Sequence, residues 1–219
     1  MLRIISWNVL YRKYEEQYNP ESLILNKYPE EFLRLIQIIT LIYDQMKDNT
    51  IVCLQEVSSI LLDKLRTVFG NFHNIFQYQD SREDFLVILA PQNYDLDFCC
   101  SHKTSNGYLS ITNGKINIIT CHLKPQRYIS KTINILEYIK TLRKTNQKTF
   151  IAGDFNENHK QLKSKLNNDF ICPYYGKTYK KKAIDNIIFD SRIETNYNTQ
   201  KIDTKLVSDH DMIILDIEL

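Results

Sequence analysis

The sequence predicts an α/β fold, with sheet inside and helices outside, on three observations. Short apolar runs rich in β-forming residues mark buried strands. Between several of them lie stretches with apolar residues every three or four positions, the stripe of an amphipathic helix. Strands alternate with helices through the first and middle thirds, and strands dominate elsewhere.

The chain opens on an apolar run, Leu2 to Leu10, too short for a typical helix. A polar, tyrosine-rich stretch follows from Tyr11 to Pro29. From Glu30, the recurrence of Phe32, Leu35, Ile36, Ile39, Ile42, Tyr43 and Met46 predicts a helix with those residues inward. Thr50 to Gln55 is a second buried-type strand, and Ser58 is placed to cap a helix through Phe69 that carries Leu61, Leu62, Leu65 and Val68. Phe85 to Ala90 reads as a strand ended by Pro91. Tyr108 to Thr112 and Lys115 to His122 flank Asn113-Gly114, a two-residue hairpin signal. Ile129 to Leu142 has helical periodicity, and Thr149–Ala152, Ala183–Phe189 and Met212–Ile217 read as strands.

The 219 residues, without repeat or linker, point to one domain over 1–219. A chain this long buries about 70% of the surface its unfolded form exposes, so it needs no disulfide or metal to fold. Hydrophobic residues at 43% and charged residues at 25% exclude a disordered or fibrous chain. A net charge of +2 announces no nucleic-acid partner by itself, and the wealth of Ile, Asn, Lys and Tyr reads as AT-rich codon bias. Five cysteines without disulfide spacing fit a reducing compartment. No run approaches the ~20 apolar residues of a membrane span, and the opening residues lack signal-peptide features. The expectation is a soluble intracellular protein, cytoplasmic or nuclear, and a monomer.

Polar residues at the ends of buried strands stand where open α/β sheets hold ligands. Asn8 closes the first strand, Glu56 follows the second, and His122 follows the run Ile116 to Cys121. Asp154 and Asn156 follow Phe150 to Gly153, and Asp209 and His210 precede Met212. A single such residue is usually a cap or turn former; five strand ends that all carry Asn, Glu, Asp or His are harder to treat that way. Oxygen donors of this kind suit a hard cation such as Mg²⁺, while no Cys/His cluster has zinc spacing. Histidines that donate to phosphate oxygens, and a carboxylate that orients water, complete a set able to hydrolyse a phosphodiester.

At these residues the sequence resembles the endonuclease/exonuclease/phosphatase superfamily, the group of deoxyribonuclease I, exonuclease III and the deadenylases. The matching segments run in order: ISWNVL (Ile5–Leu10), CLQEV (Cys53–Val57), TCHLKP (Thr120–Pro125), AGDFNE (Ala152–Glu157), AIDNIIF (Ala183–Phe189) and VSDHDMI (Val207–Ile213). They span almost the whole chain. The resemblance implies a deoxyribonuclease I-like four-layer α-β-β-α sandwich of two mixed sheets, and Mg²⁺ as cofactor with Mn²⁺ able to substitute. It implies metal-side roles for Asn8, Glu56 and Asp209, with Glu56 the principal ligand. His122 would hydrogen-bond the scissile phosphate and assist the leaving group. Asp154 would activate water, and Asn156 would contact phosphate and hold Asp154. Asp185 would pair with the phosphate-binding His210. Asn186 departs from the family, which often has Tyr, His or Arg there, so substrate contacts on that side differ. The short interval between Glu56 and His122 leaves little room for specificity insertions.

The stretch from Asn8 to Ile39 looks like the deadenylase and nocturnin branch; tyrosyl-DNA phosphodiesterase 2 is also similar. The function implied is a nuclease, first an RNA 3′ exonuclease, with a 5′-tyrosyl phosphodiesterase or DNA endonuclease as the alternative. A phosphoinositide hydrolase and a catalytically dead binding module rank behind these: no amphipathic membrane element is evident, and Asp154, His122 and His210 are all present. Tyr174, Tyr175 and Tyr179 interleave with Lys177, Lys180, Lys181 and Lys182, a pattern that suits single-stranded nucleic acid but equally a solvated loop. Tyr179, Lys180, Lys181, Lys182 and Lys124 are candidate substrate contacts, with Arg127 extending the surface. Trp7 reads as core, and His73, His102, His159, Arg12 and Lys13 as surface or loop residues.

Overall fold

The computed structural model describes residues 1–79, 83–101, 107–123, 146–166 and 168–219, the side chains of 99–101 excepted. In chain order the elements are β1 (Leu2–Asn8), α1 (Arg12–Tyr18), α2 (Leu23–Lys27), α3 (Glu31–Gln45), β2 (Thr50–Val57) and α4 (Ser59–Phe69). Then come β3 (His73–Gln79), β4 (Phe85–Pro91), β5 (Asp97–Ser101), β6 (Tyr108–Thr112), β7 (Ile116–His122) and β8 (Lys148–Asp154). The last are α5 (His159–Leu166), β9 (Phe170–Ile171), β10 (Asp185–Asp190), β11 (Tyr197–Ile202) and β12 (Met212–Ile217). The expected helix from Ile129 to Leu142, with Lys124, Arg127 and His102, lies outside the described residues.

The strands form two six-stranded mixed sheets, one ordered β11-β12-β1-β2-β4-β3 and the other β5-β6-β7-β8-β10-β9. Each has a central parallel pair, β1 with β2 and β7 with β8, and antiparallel neighbours outside it. Successive side chains of a strand point to opposite faces, and the central strands are apolar on both. Ile4, Ile51, Ile88, Ile118, Phe150, Ile187 and Ile213 fill the space between the sheets. Ile5, Trp7, Val52, Leu54 and Ile214 face outward under α3 and α4, while Ile119, Ile151 and Ile188 lie under α5. That is the four-layer sandwich anticipated above. Each fully buried side chain of this size contributes roughly 1.5–3 kcal/mol. Among the described residues no helix is long and apolar enough to cross a membrane.

The buried face of α3 differs from the predicted stripe. It presents Arg34, Leu35, Ile38 and Ile42, whereas Phe32, Ile36 and Tyr43 are exposed and Ile39 and Met46 only partly covered. The rotation follows from Arg34, whose guanidinium donates to the carbonyls of Val9 (2.7 Å), Leu10 (2.8 Å) and Val207 (2.9 Å) and pairs with Glu31. Buried backbone carbonyls need donors, and this charged side chain supplies three. α4 keeps its cap, with Ser58 Oγ accepting from the Leu61 N–H at 3.1 Å, though Val68 is exposed. The tyrosine-rich stretch folds into α1 and α2. Trp7 is fully buried and its Nε1 donates to the His210 carbonyl at 3.0 Å. Arg12 bonds Glu16 and the Tyr28 and Pro29 carbonyls, and Lys13 pairs with Glu83.

Candidate active site

The ends of β1, β2, β7 and β8 meet the starts of β10 and β12 along one edge of the sandwich, so residues far apart in sequence share one cleft of about 680 Å³. Backbone geometry aims them. In β2 the register shifts between Leu54 and Val57, and Glu56 takes a positive φ of 58°. Such a bulge re-aims a side chain that regular alternation would turn under the helices, at a cost of about 1 kcal/mol or more. Gly153 pairs with Cys121, and a Cβ there would sit 2.0 Å from the Cys121 carbonyl oxygen. Only glycine lets β7 and β8 approach this closely, and the same register sets His122 beside Asp154.

Glu56 accepts from the Asn8 amide at 3.0 Å through Oε1 and from the Tyr11 backbone N–H at 3.0 Å through Oε2. Asn8 Nδ2 also lies 3.3 Å from Asp154 Oδ2, and Asn8 Oδ1 accepts from the Leu10 N–H. Asn8 thus turns its amide nitrogen, not its oxygen, toward both carboxylates. Asp154 Oδ1 accepts from the Asn156 N–H at 2.8 Å, a local side-chain turn that orients the carboxylate. The Asn156 side-chain amide is committed to the Leu123 carbonyl at 2.8 Å, so Asn156 holds Asp154 through its backbone. His122 Nε2 stands 3.7 Å from both Glu56 Oε1 and Asp154 Oδ2. His210 Nδ1 lies 2.9 and 3.1 Å from the two oxygens of Asp185, leaving Nε2 facing Asp154 at 3.8 Å and Asp209 at 3.9 Å.

Electrostatics separate these groups. Burial acts to raise the Glu56 carboxyl, but the His122 charge, the Tyr11 N–H and the Asn8 amide outweigh it and hold Glu56 below its ordinary range. Burial and then the adjacent Asp185 charge push Asp154 up to about 7. Burial lifts Asp209 to about 6 against the pull of His210. Burial acts to lower His210, yet Asp185, by charge and hydrogen bond, keeps it well above the ordinary histidine value. The imidazole is therefore a cation at neutral pH.

The donors fit a hard divalent cation. Glu56 and Asp209 both line the cleft, and the buried Asp209 Oδ1 has no hydrogen-bond partner. Asp154, Asp185 and His210 also bring ligand-type atoms within 4.8 Å of one another. A protonated His210 bound to Asp185 cannot ligate a cation, so the Glu56 and Asp209 side is the better receptor.

The eight residues singled out for chemistry, Asn8, Glu56, His122, Asp154, Asn156, Asp185, Asp209 and His210, are brought together. Of the basic loop, Tyr179 and Lys182 line the cleft, with the Tyr179 ring 4.5 Å from that of His210. Lys180 Nζ sits 4.8 Å from the Tyr179 ring at the rim, and Lys181 is exposed away from the cleft wall. Asn186 is buried on β10 with Oδ1 unpartnered. His73 lies in β3, and His159 opens α5 with Nε2 2.9 Å from the Cys172 carbonyl. Sequence reasoning passed over Tyr14, Glu15 and Tyr18, which form a cleft wall, and Ser208, whose Oγ donates to the Asn8 carbonyl at 2.7 Å and accepts from the His210 N–H. The spacing of Tyr11, Tyr14 and Tyr18 on one helical face was the available signal.

No protein-family model and no curated protein sequence matches the chain. Solved structures do. An endonuclease/exonuclease/phosphatase from Bacteroides vulgatus superposes with a TM-score of 0.72 at 15% identity, covering 100% of this chain and 98% of that one. Human nocturnin's catalytic domain with bound sulfate gives 0.71 at 18% identity, covering 99% and 94%. D. rerio TDP2 complexed with single-strand DNA product gives 0.70 at 16% identity, covering 100% and 99%. At such identities the likeness is one of fold, and the chain has the fold of the endonuclease/exonuclease/phosphatase superfamily, the TDP2 and nocturnin branches included.

Proposed function

We propose that the chain is a Mg²⁺-dependent phosphodiesterase acting on single-stranded nucleic acid, with the 3′ end of RNA, in the manner of a deadenylase, as the first substrate. The observation that carries this reading is the position of Asp154. It is oriented by the Asn156 N–H, raised to about 7, and flanked by His122 on one side and the His210–Asp185 pair on the other. A carboxylate with that value is matched to taking a proton near neutral pH.

Bound at Glu56 and Asp209, Mg²⁺, or Mn²⁺ in its place, would polarise a phosphate oxygen and offset charge on the leaving oxygen. Asp154 takes a proton from water as the water oxygen bonds to phosphorus. The bond from phosphorus to the leaving oxygen breaks, and its electron pair stays on that oxygen. Cationic His210 donates from Nε2 to a non-bridging oxygen, and Asp185 fixes the ring and its charge through Nδ1. His122, at the end of the central strand β7 beside Asp154, faces the same phosphate. Asn8 acts through the carboxylates it orients.

A second reading, hydrolysis of a 5′-tyrosyl linkage, is supported by the likeness to TDP2. Side-by-side digestion of labelled poly(A), mixed-sequence RNA, single- and double-stranded DNA and a 5′-tyrosyl oligonucleotide tests both, with and without EDTA. Stepwise Mg²⁺-dependent loss of 3′ nucleotides from RNA is expected. Release of tyrosine alone selects the second reading, and no Mg²⁺-dependent product from any strand overturns both.

A further inference from the structure

One wall of the cleft has no part in the phosphorus chemistry. Tyr11, Tyr14 and Tyr18, spaced by three and four residues, rise along one side of α1. The Tyr11 and Tyr14 rings meet edge to face with centroids 5.0 Å apart, and Tyr14 and Tyr18 lie 6.4 Å apart at 40°. Tyr14 and Tyr18 line the same cleft as Glu56, His122 and Asp154. The lower rings are fixed: the Tyr14 hydroxyl donates to Asp84 Oδ1 at 2.8 Å and the Tyr11 hydroxyl to Glu83 Oε2 at 3.1 Å. Tyr18 is 75% exposed, a large aromatic face left in water at the cleft mouth. It is not a fraying end, because Glu15 beside it is buried and held by Asn19 Nδ2 at 2.8 Å. Tyr179, packed on His210, and Lys182 line the same cleft.

A polynucleotide alternates phosphates with flat bases, and this cleft alternates phosphate chemistry with flat rings. We propose that Tyr14 and Tyr18 form a base-stacking subsite for the nucleotide next to the scissile phosphate. This rests on the phosphodiesterase reading and narrows it to strands with unpaired bases. A paired base has its faces covered by its neighbours and reaches Tyr18 only after unstacking. A lipid or sugar phosphate has no face to offer.

The test uses the whole chain and a fluorescein-labelled single-stranded oligonucleotide, with affinity read by anisotropy in EDTA and cleavage read separately in Mg²⁺. Tyr18→Ala should weaken binding roughly tenfold, the usual worth of one stacked base. Tyr18→Phe, which keeps the ring, should restore it. With a strand whose flanking bases are replaced by abasic residues, the difference between wild type and Tyr18→Ala should collapse. Cleavage by the wild type with equal affinity for both variants overturns the subsite alone. A Tyr18→Ala loss that persists undiminished on the abasic strand also overturns it, because the ring then acts on the fold or the backbone. A wild type that neither binds nor cleaves any strand removes the phosphodiesterase reading itself.

Discussion

Replacing the residue with the proposed water-activating role should make the protein more stable. The unfolded chain ionises Asp154 near its ordinary value of 3.8, and the folded chain near about 7. Across that window the folded state keeps a proton that the unfolded state releases, so stability falls as pH rises from about 4 to about 7. At roughly 1.4 kcal/mol per pH unit, the ionised carboxylate costs the metal-free fold about 4 kcal/mol above pH 7. Asp154→Asn removes that penalty. The new amide keeps the bond from the Asn156 N–H, but its nitrogen opposes Asn8 Nδ2, which lies 3.3 Å from the present oxygen, at a cost of about 1 kcal/mol. The net gain at pH 8 is about 2–3 kcal/mol, or a Tm about 5–10 °C higher for a chain of this size. Calorimetry of both proteins in EDTA should show the gain at pH 8 and its near disappearance at pH 5, while hydrolysis is lost at every pH. A variant no more stable than wild type at pH 8, or a gain independent of pH, would refute the assignment of a costly buried charge to this position.

Three other perturbations have definite outcomes. Glu56→Gln keeps the shape and removes the charge, so the Mg²⁺ concentration for half-maximal rate should rise at least about tenfold; an unchanged requirement removes Glu56 from the metal side. Asp185→Asn deletes the main group that raises His210, so the imidazole should lose its proton at lower pH and the alkaline limb of the rate profile should move to more acidic values. The rate itself should fall by about 10²–10³, and an unshifted profile contradicts the pairing. Gly153→Ala would force β8 away from Cys121, lowering stability by about 1–3 kcal/mol or more in chemical denaturation; a wild-type midpoint would mean the strands separate freely.

The central strands were legible in the sequence because they are apolar on both faces, and the strand-end residues stood out as polar punctuation of those runs. The strands that escaped notice, β3, β5, β9 and β11, are the four edges of the two sheets. An edge strand buries less, and both Tyr197–Ile202 and His73–Gln79 carry mixed or polar residues with no clean alternation. α1 was missed for a related reason: it buries only Glu15. The face of α3 was misread because periodicity counts Arg34 as solvent-facing, whereas here it satisfies three buried carbonyls. Which residues gather was readable. Their aim was not, because the bulge at Glu56 and the division of labour within Asn156 are backbone facts with no mark in composition.

The pairing of β1 with β12 has a further consequence. Leu2 is matched to Ile217, the Arg3 guanidinium is held by Asp216 through two bonds of 2.7 Å, and Ser208 bonds the Asn8 carbonyl. Strand β1 therefore waits for β12, with Arg3 and Asp216 213 residues apart, before its sheet can close, and contacts of such long sequence separation form slowly. His210 arrives only with β12. A nascent chain carries Asn8, Glu56 and Asp154 long before His210 joins them, so the cleft is complete only once synthesis has passed β12.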